Sequence, residues 1–96
     1  SDELDRIWVY DDEFVKGMIH IEGKQIVELY VDTFFENQGI GSKLIKYAIE
    51  KQDCDYLWVL EKNVKAIKFY QRHGFVITEE RKYEEGTTEY VVKMKR

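Results

Sequence analysis

The 96-residue chain has no proline, one cysteine and two histidines. Without proline there is no rigid linker, and no composition break that would divide the chain into separate domains. A lone cysteine cannot form an intrachain disulfide, so Cys54 reads as a small hydrophobe beside a strand start. His20 and His73 do not stand at metal-ligand spacing with any Cys, Asp or Glu, so no metal site is expected. No apolar run approaches the roughly 20 residues that span a bilayer, and the N-terminus is acidic, unlike a signal peptide. A cytoplasmic location with no membrane partner is therefore expected. Cationic excess is missing too. The net charge of −4 argues against a nucleic-acid partner, which would call for a basic face.

What is present is enough for one modest core: 44% hydrophobic and 15% aromatic residues in a length that suits a single domain. Residues 6–12, "RIWVYDD", form a short apolar run ended by two aspartates, which predicts a strand and a turn. In "EFVKGMIHIEG" (13–23) Phe14, Lys16, Met18 and His20 alternate with Val15, Gly17, Ile19 and Ile21, the pattern of a second strand. "KQIVELYVD" (24–32) predicts a third. A helix is expected from about Ser42 to Gln52, with Leu44, Ile45, Ala48 and Ile49 on one face and Ser42 as its cap. The continuous apolar run "YLWVLE" (56–61) predicts a strand buried on both faces. Asn63 and Gly74 bracket a second helix, its inner face supplied by Val64, Ile67, Phe69 and Tyr70. "FVITEERKYEE" and "TTEYVVKMKR" then predict a hairpin turning at Glu85–Gly86. The order βββ-α-β-α-ββ is an α/β mixture with a crossover helix after the third strand.

Two of the six glycines, Gly39 and Gly41, stand one residue apart where the third strand gives way to the first helix. One reading is a tight turn. The other is a cradle of backbone amides at a helix N-terminus, where the helix dipole favours an anion. The stretch is not a P-loop, because the Gly-Lys-Ser/Thr ending is absent, and it lacks the third glycine of a dinucleotide fingerprint.

Read together, "ELYVDTFFENQGIGSKLI" and "EKNVKAIKFYQRHGF" resemble the GNAT superfamily of acetyl-CoA-dependent N-acetyltransferases. The first stretch is similar to that family's pyrophosphate motif, Gln/Arg-x-x-Gly-x-Gly/Ala behind an "LYV"-like strand. The second is similar to its Asn-x-x-Ala-x-x-Phe-Tyr-x-x-x-Gly-Phe pattern, met by Asn63, Ala66, Phe69, Tyr70, Gly74 and Phe75. The resemblance implies a GNAT-like mixed sheet, acetyl-CoA as cosubstrate, and a small-molecule or peptide amine as acceptor. It implies that the backbone of Leu29, Tyr30 and Val31 pairs with the pantetheine arm. It places the pyrophosphate on the amides of Asn37, Gln38, Gly39, Ile40, Gly41 and Ser42. Asn63 would hydrogen-bond the cofactor near the thioester, and Tyr70 would protonate the departing thiolate. Glu28, expected on the same side of its strand as Ile26 and Tyr30, is the first candidate for the base that receives the ammonium proton, ahead of Glu22 and water.

Each assignment has a plainer rival: Asn63 as a helix cap, Tyr70 as a core aromatic, Gly74 as a left-handed helix end. Two departures from the family stand out. Glu36 occupies a position where Gln or Arg is usual, and the N-terminal strand and helices that usually precede the first strand are not in this sequence. The fold is thus expected to be N-terminally truncated relative to the family. An uncovered first strand is a natural pairing edge, so a homodimer is expected. A catalytically silent acyl-CoA-binding module and an interaction module without ligand are the competing readings.

Overall fold

Gly17 sits inside an alternating strand, where a missing side chain marks a close backbone approach. In a computed structural model, which describes residues 5–12, 14–36 and 38–96, that approach is made by a helix. The elements follow the expected order: β1 (Asp5–Asp12), β2 (Phe14–Glu22), β3 (Gln25–Val31), α1 (Ile40–Gln52), β4 (Tyr56–Leu60), α2 (Val64–Arg72), β5 (Val76–Tyr83) and β6 (Tyr90–Lys95). They gather into two compact units divided after Cys54.

In the first unit β1, β2 and β3 form an antiparallel meander. Cross-strand partners share a face, and neighbours along a strand alternate between faces. Gly17, Ile19 and Ile21 of β2 turn toward α1, whose Ile40, Leu44, Ile45 and Ala48 are buried. Their β1 partners Tyr10 and Trp8 lie on this same face. There the Trp8 ring stands edge-on to Tyr47, 5.0 Å between centroids. Each fully buried Ile or Leu in such a face contributes roughly 1.5–3 kcal/mol. Cys54 is buried and closes the unit, its amide bonded to Ala48 O at 3.0 Å. The opposite face is open. Ile7 and Val9 are 61% and 53% exposed there.

The β2–β3 register slips between His20 and Ile21. Ile21 stands opposite Ile26, but His20 stands opposite Glu28, so Val27 is an extra residue in β3. The slip corrects one expectation. A regular strand would place Glu28 on the same side as Ile26. Instead Ile26 faces α1 and is buried, while Glu28 joins His20, Met18 and Tyr30 on the open face.

Helix α1 begins at Ile40, two residues before the expected start, and its cap is Gly39. Ser42 is therefore the third helical residue and not the cap. Gly39 adopts φ 78° and ψ 8°, a left-handed turn that L side chains resist.

In the second unit β6 lies between β4 and β5, antiparallel to both. Leu57, Val59, Val92 and Met94 are buried. The expectation that β4 is buried on both faces fails: Tyr56, Trp58 and Leu60 are only half-buried. Lysine side chains cover their aromatic rings. Lys82 Nζ is 4.3 Å from the Trp58 centroid and Lys93 Nζ 4.6 Å from that of Tyr56. Helix α2 buries Ile67 and Tyr70, whereas Val64, its first residue, is 55% exposed and not part of the inner face. The β5–β6 hairpin turns as expected, with Gly86 at φ 79° and Thr87 N bonded to Glu84 O at 3.0 Å.

Candidate active site

The first unit carries β3 and the glycine turn. Asp32 N donates to Lys16 O at 2.8 Å. That bond fixes which edge of β3 each residue serves, because N–H and C=O alternate sides along a strand. Tyr30 turns its backbone toward β2, with its carbonyl next to Gly17. Leu29 and Val31 turn theirs to the other edge. Of the three residues expected to pair with a pantetheine arm, these two turn their backbone away from β2.

Beyond Asp32 the chain enters a 3₁₀ turn, Thr33–Phe35, which the Asp32 side chain caps by accepting from Phe34 N at 2.8 Å. The turn ends at Glu36, exposed, whose amide donates to Thr33 O at 3.4 Å. Asn37 lies outside the described residues. Gln38 and Gly39 are exposed.

The first intrahelical bond of α1 runs from Lys43 N to Gly39 O at 3.0 Å. The amides of Gly39, Ile40, Gly41 and Ser42 precede it and have no carbonyl four residues back within the helix. Gly39 has no side chain to cap them, and the first turn holds no acidic residue. A Cβ at Gly39 would meet nothing within 4 Å, so its surroundings are open. Gly41 differs: it is helical and not among the positive-φ residues. The backbone requirement falls on Gly39, and Gly41 can matter only for close approach.

Glu36 finds no cation in Lys43. The Lys43 ammonium instead donates to the Tyr10 hydroxyl at 3.2 Å and lies 5.2 Å from that ring's centroid. A carboxylate this near an anion cradle is repulsive. Glu36→Gln is expected to tighten CoA binding by less than about fivefold, a gain that shrinks as salt is raised. Calorimetry at two salt concentrations checks it. Weaker binding would show instead that Glu36 holds the loop in place.

The second unit carries Asn63 and Tyr70. Asn63 caps α2, its Oδ1 accepting from Ala66 N at 3.2 Å. That bond occupies the side-chain oxygen and leaves the amide nitrogen to donate elsewhere. The far end of α2 closes as expected. Gly74 is at φ 92°, Phe75 N donates to Tyr70 O and Gly74 N to Gln71 O, both at 3.1 Å. Tyr70 is buried, with the Phe69 and Phe75 rings edge-on at 5.4 and 6.0 Å. Its plainer role as a core aromatic is therefore filled.

Burial pushes the Tyr70 phenol up from 10 to about 12. An unfolded chain ionises this phenol first, so the folded state loses stability as pH rises from about 10 to about 12. The loss attributable to it is roughly 2–3 kcal/mol. Denaturant melts on Tyr70→Phe should show a correspondingly shallower decline over that range. An identical slope in both proteins would mean that the phenol is hydrated in the folded state.

Among the described residues no group of three His, Cys, Asp or Glu could hold a metal ion, and no helix is long and apolar enough to cross a membrane. The motifs give Gly17 no role, although a glycine inside an alternating strand is a legible signal.

The acetyltransferase (GNAT) domain profile matches residues 3–77, and the chain belongs to that family. It is 30% identical over 73 residues to the peptidyl-lysine N-acetyltransferase YiaC of Escherichia coli, a match covering 76% of this chain and 50% of the relative. It is 31% identical over 72 residues to the spermine/spermidine N(1)-acetyltransferase of Bacillus subtilis, covering 69% and 44%. The chain thus spans about half the length of these relatives. Among solved structures, apo YjaB from Escherichia coli superposes with a TM-score of 0.80 at 23% identity, over 93% of this chain and 63% of that one. Arabidopsis thaliana Naa50, in complex with the bisubstrate analogue CoA-Ac-MVNAL, superposes with a TM-score of 0.76 at 26% identity, over 94% and 72%.

Proposed function

We propose that the chain is an acetyl-CoA-dependent N-acetyltransferase domain that passes the acetyl group directly to a primary amine. The observation that carries this reading is the start of α1. A left-handed Gly39 with no side-chain cap heads a first helical turn that holds no acidic residue, in the stretch that resembles the family's pyrophosphate motif. The amides of Gln38, Gly39, Ile40, Gly41 and Ser42, with Asn37, hold the pyrophosphate. Leu29 and Val31 pair with the pantetheine arm like an added strand, and Tyr30 supports them through β2.

In the reaction the amine lone pair attacks the thioester carbonyl carbon, the C–S bond breaks, and the sulfur leaves with the bonding pair. Asn63 hydrogen-bonds the cofactor near the thioester through its free amide nitrogen. Tyr70 is the general acid, donating its proton as sulfur departs. Glu28, a carboxylate on the open face beside Tyr30, receives the proton that the amine sheds. The acceptor is a small polyamine or a peptidyl lysine, the two classes named for the relatives.

A thiol-release assay with acetyl-CoA over spermidine, spermine and lysine peptides tests the whole reading. Release dependent on one amine class is the expected result. CoA binding without release from any amine would leave the silent binding module, which the exposed Glu36 favours. No CoA binding at all would leave only an interaction module.

The open face also supports self-association. β1 is an edge strand, paired with β2 alone among the described residues, and its Ile7 and Val9 are exposed. Two copies joined through β1 would bury both features, so a homodimer is the expected state. Sedimentation across a concentration series checks this, and a well-folded monomer at high micromolar concentration would contradict it.

A further inference from the structure

At Gly17 the missing side chain leaves a gap too small for a methyl group. A Cβ built on it would lie 2.9 Å from the Tyr30 carbonyl oxygen, 3.1 Å from Ile40 Cγ2 and 3.2 Å from Leu44 Cδ1. The backbone there is not left-handed, so conformational freedom is not the reason for glycine. Space is. The first of these neighbours is main chain and cannot rotate away.

Those neighbours belong to the two segments that the proposed reading gives to the cofactor. Tyr30 lies between Leu29 and Val31, the two residues that this reading pairs with the pantetheine arm. Ile40 is the first residue of α1, directly behind the left-handed Gly39, and it is buried against Gly17. Leu44, one turn on, is buried there as well.

We infer that Gly17 is a positioning residue for cofactor binding, setting the separation between the β3 edge and the amide cradle at the start of α1. The inference rests on the reading of CoA bound to these two segments. A ligand joined by one covalent arm gains affinity from spanning two subsites only while their spacing matches its length. Misplacement by a fraction of an ångström at Gly17 acts on that gain, and leaves each subsite intact by itself.

The test compares CoA with ADP, which carries the diphosphate and lacks the pantetheine arm. Binding of CoA is measured by calorimetry and of ADP by competition against CoA. In Gly17→Ala, CoA affinity should fall about tenfold or more, while ADP affinity changes by less than about threefold. Ile26→Val, a core truncation on the same face but away from the cradle, should leave the CoA-to-ADP ratio unchanged at a comparable cost in stability. If Gly17→Ala does not fold, Ile40→Val removes one methyl from the helix side of the same seat. Its CoA affinity should fall about threefold with ADP unaffected. A ratio that stays at the wild-type value in these seat variants, or that moves equally in Ile26→Val, overturns the inference. Wild-type protein that binds neither ligand would overturn the cofactor reading itself, a distinct outcome.

Discussion

Tyr70→Phe should lower turnover by roughly 10²-fold or more while leaving CoA affinity nearly unchanged. The phenol proton is needed only as sulfur leaves, so its removal weakens the transition state and spares the ground state. The ring itself is not at stake, because phenylalanine fills the same space between Phe69 and Phe75. With its phenol near 12, Tyr70 stays protonated across the whole working range. Any alkaline decline in activity below about pH 11 must then arise from another group, and it should persist in the variant's residual activity. Steady-state kinetics with CoA titrations on both proteins checks this. Equal turnover would return Tyr70 to a purely structural role.

Gly39→Val should all but abolish CoA binding, with a loss of at least tenfold, and should also destabilise the fold by roughly 1–3 kcal/mol. Two separate causes act at this position. The left-handed backbone opposes a β-branched residue, and the added methyl groups enter the open space through which a phosphate would approach. Gly39→Asn separates them. Asparagine tolerates left-handed backbone, so stability should largely return while binding stays weak. Gly41→Val provides the converse case, since its backbone is helical: binding should weaken by close approach alone. Undiminished CoA affinity in folded Gly39→Val would remove the cradle from the reading.

The features that sequence revealed are those set by neighbours within a few residues. Asn63 and Gly74 mark the ends of α2 because a cap and a left-handed closure are local chemistry. The alternation of β2 shows for the same reason, and so does the glycine turn. What was misread depended on contacts across the fold. Ser42 has the chemistry of a cap, but Ile40 is drawn into the core against Gly17, and this starts α1 two residues early. The β4 run looks apolar throughout, yet its second face is shielded by lysines that lie more than 20 residues away in the chain. The inner stripe of α2 begins one turn later than expected, at Ile67, which leaves Val64 exposed. For the candidate site, the motif residues that carry the family resemblance were legible, in their order along the chain. The backbone directions that separate Tyr30 from Leu29 and Val31 were not, because they follow from pairing with β2.

The extra residue in β3 has a consequence for how this strand tolerates change in length. Val27 divides β3 into two stretches of opposite phase, Gln25–Ile26 and Glu28–Val31. Most strands treat the loss of one residue as a slip that inverts everything beyond it. Here the inversion is already built in. Deleting Val27 would make the strand regular and leave the pairing as it is: Ile26 would still face α1, and Glu28, now its immediate neighbour, would still face outward opposite His20. Loss of the extra residue is therefore silent for every face beyond it. A relative with one residue fewer between its counterparts of Ile26 and Glu28 would keep the same order of polar and apolar residues downstream and the same face open.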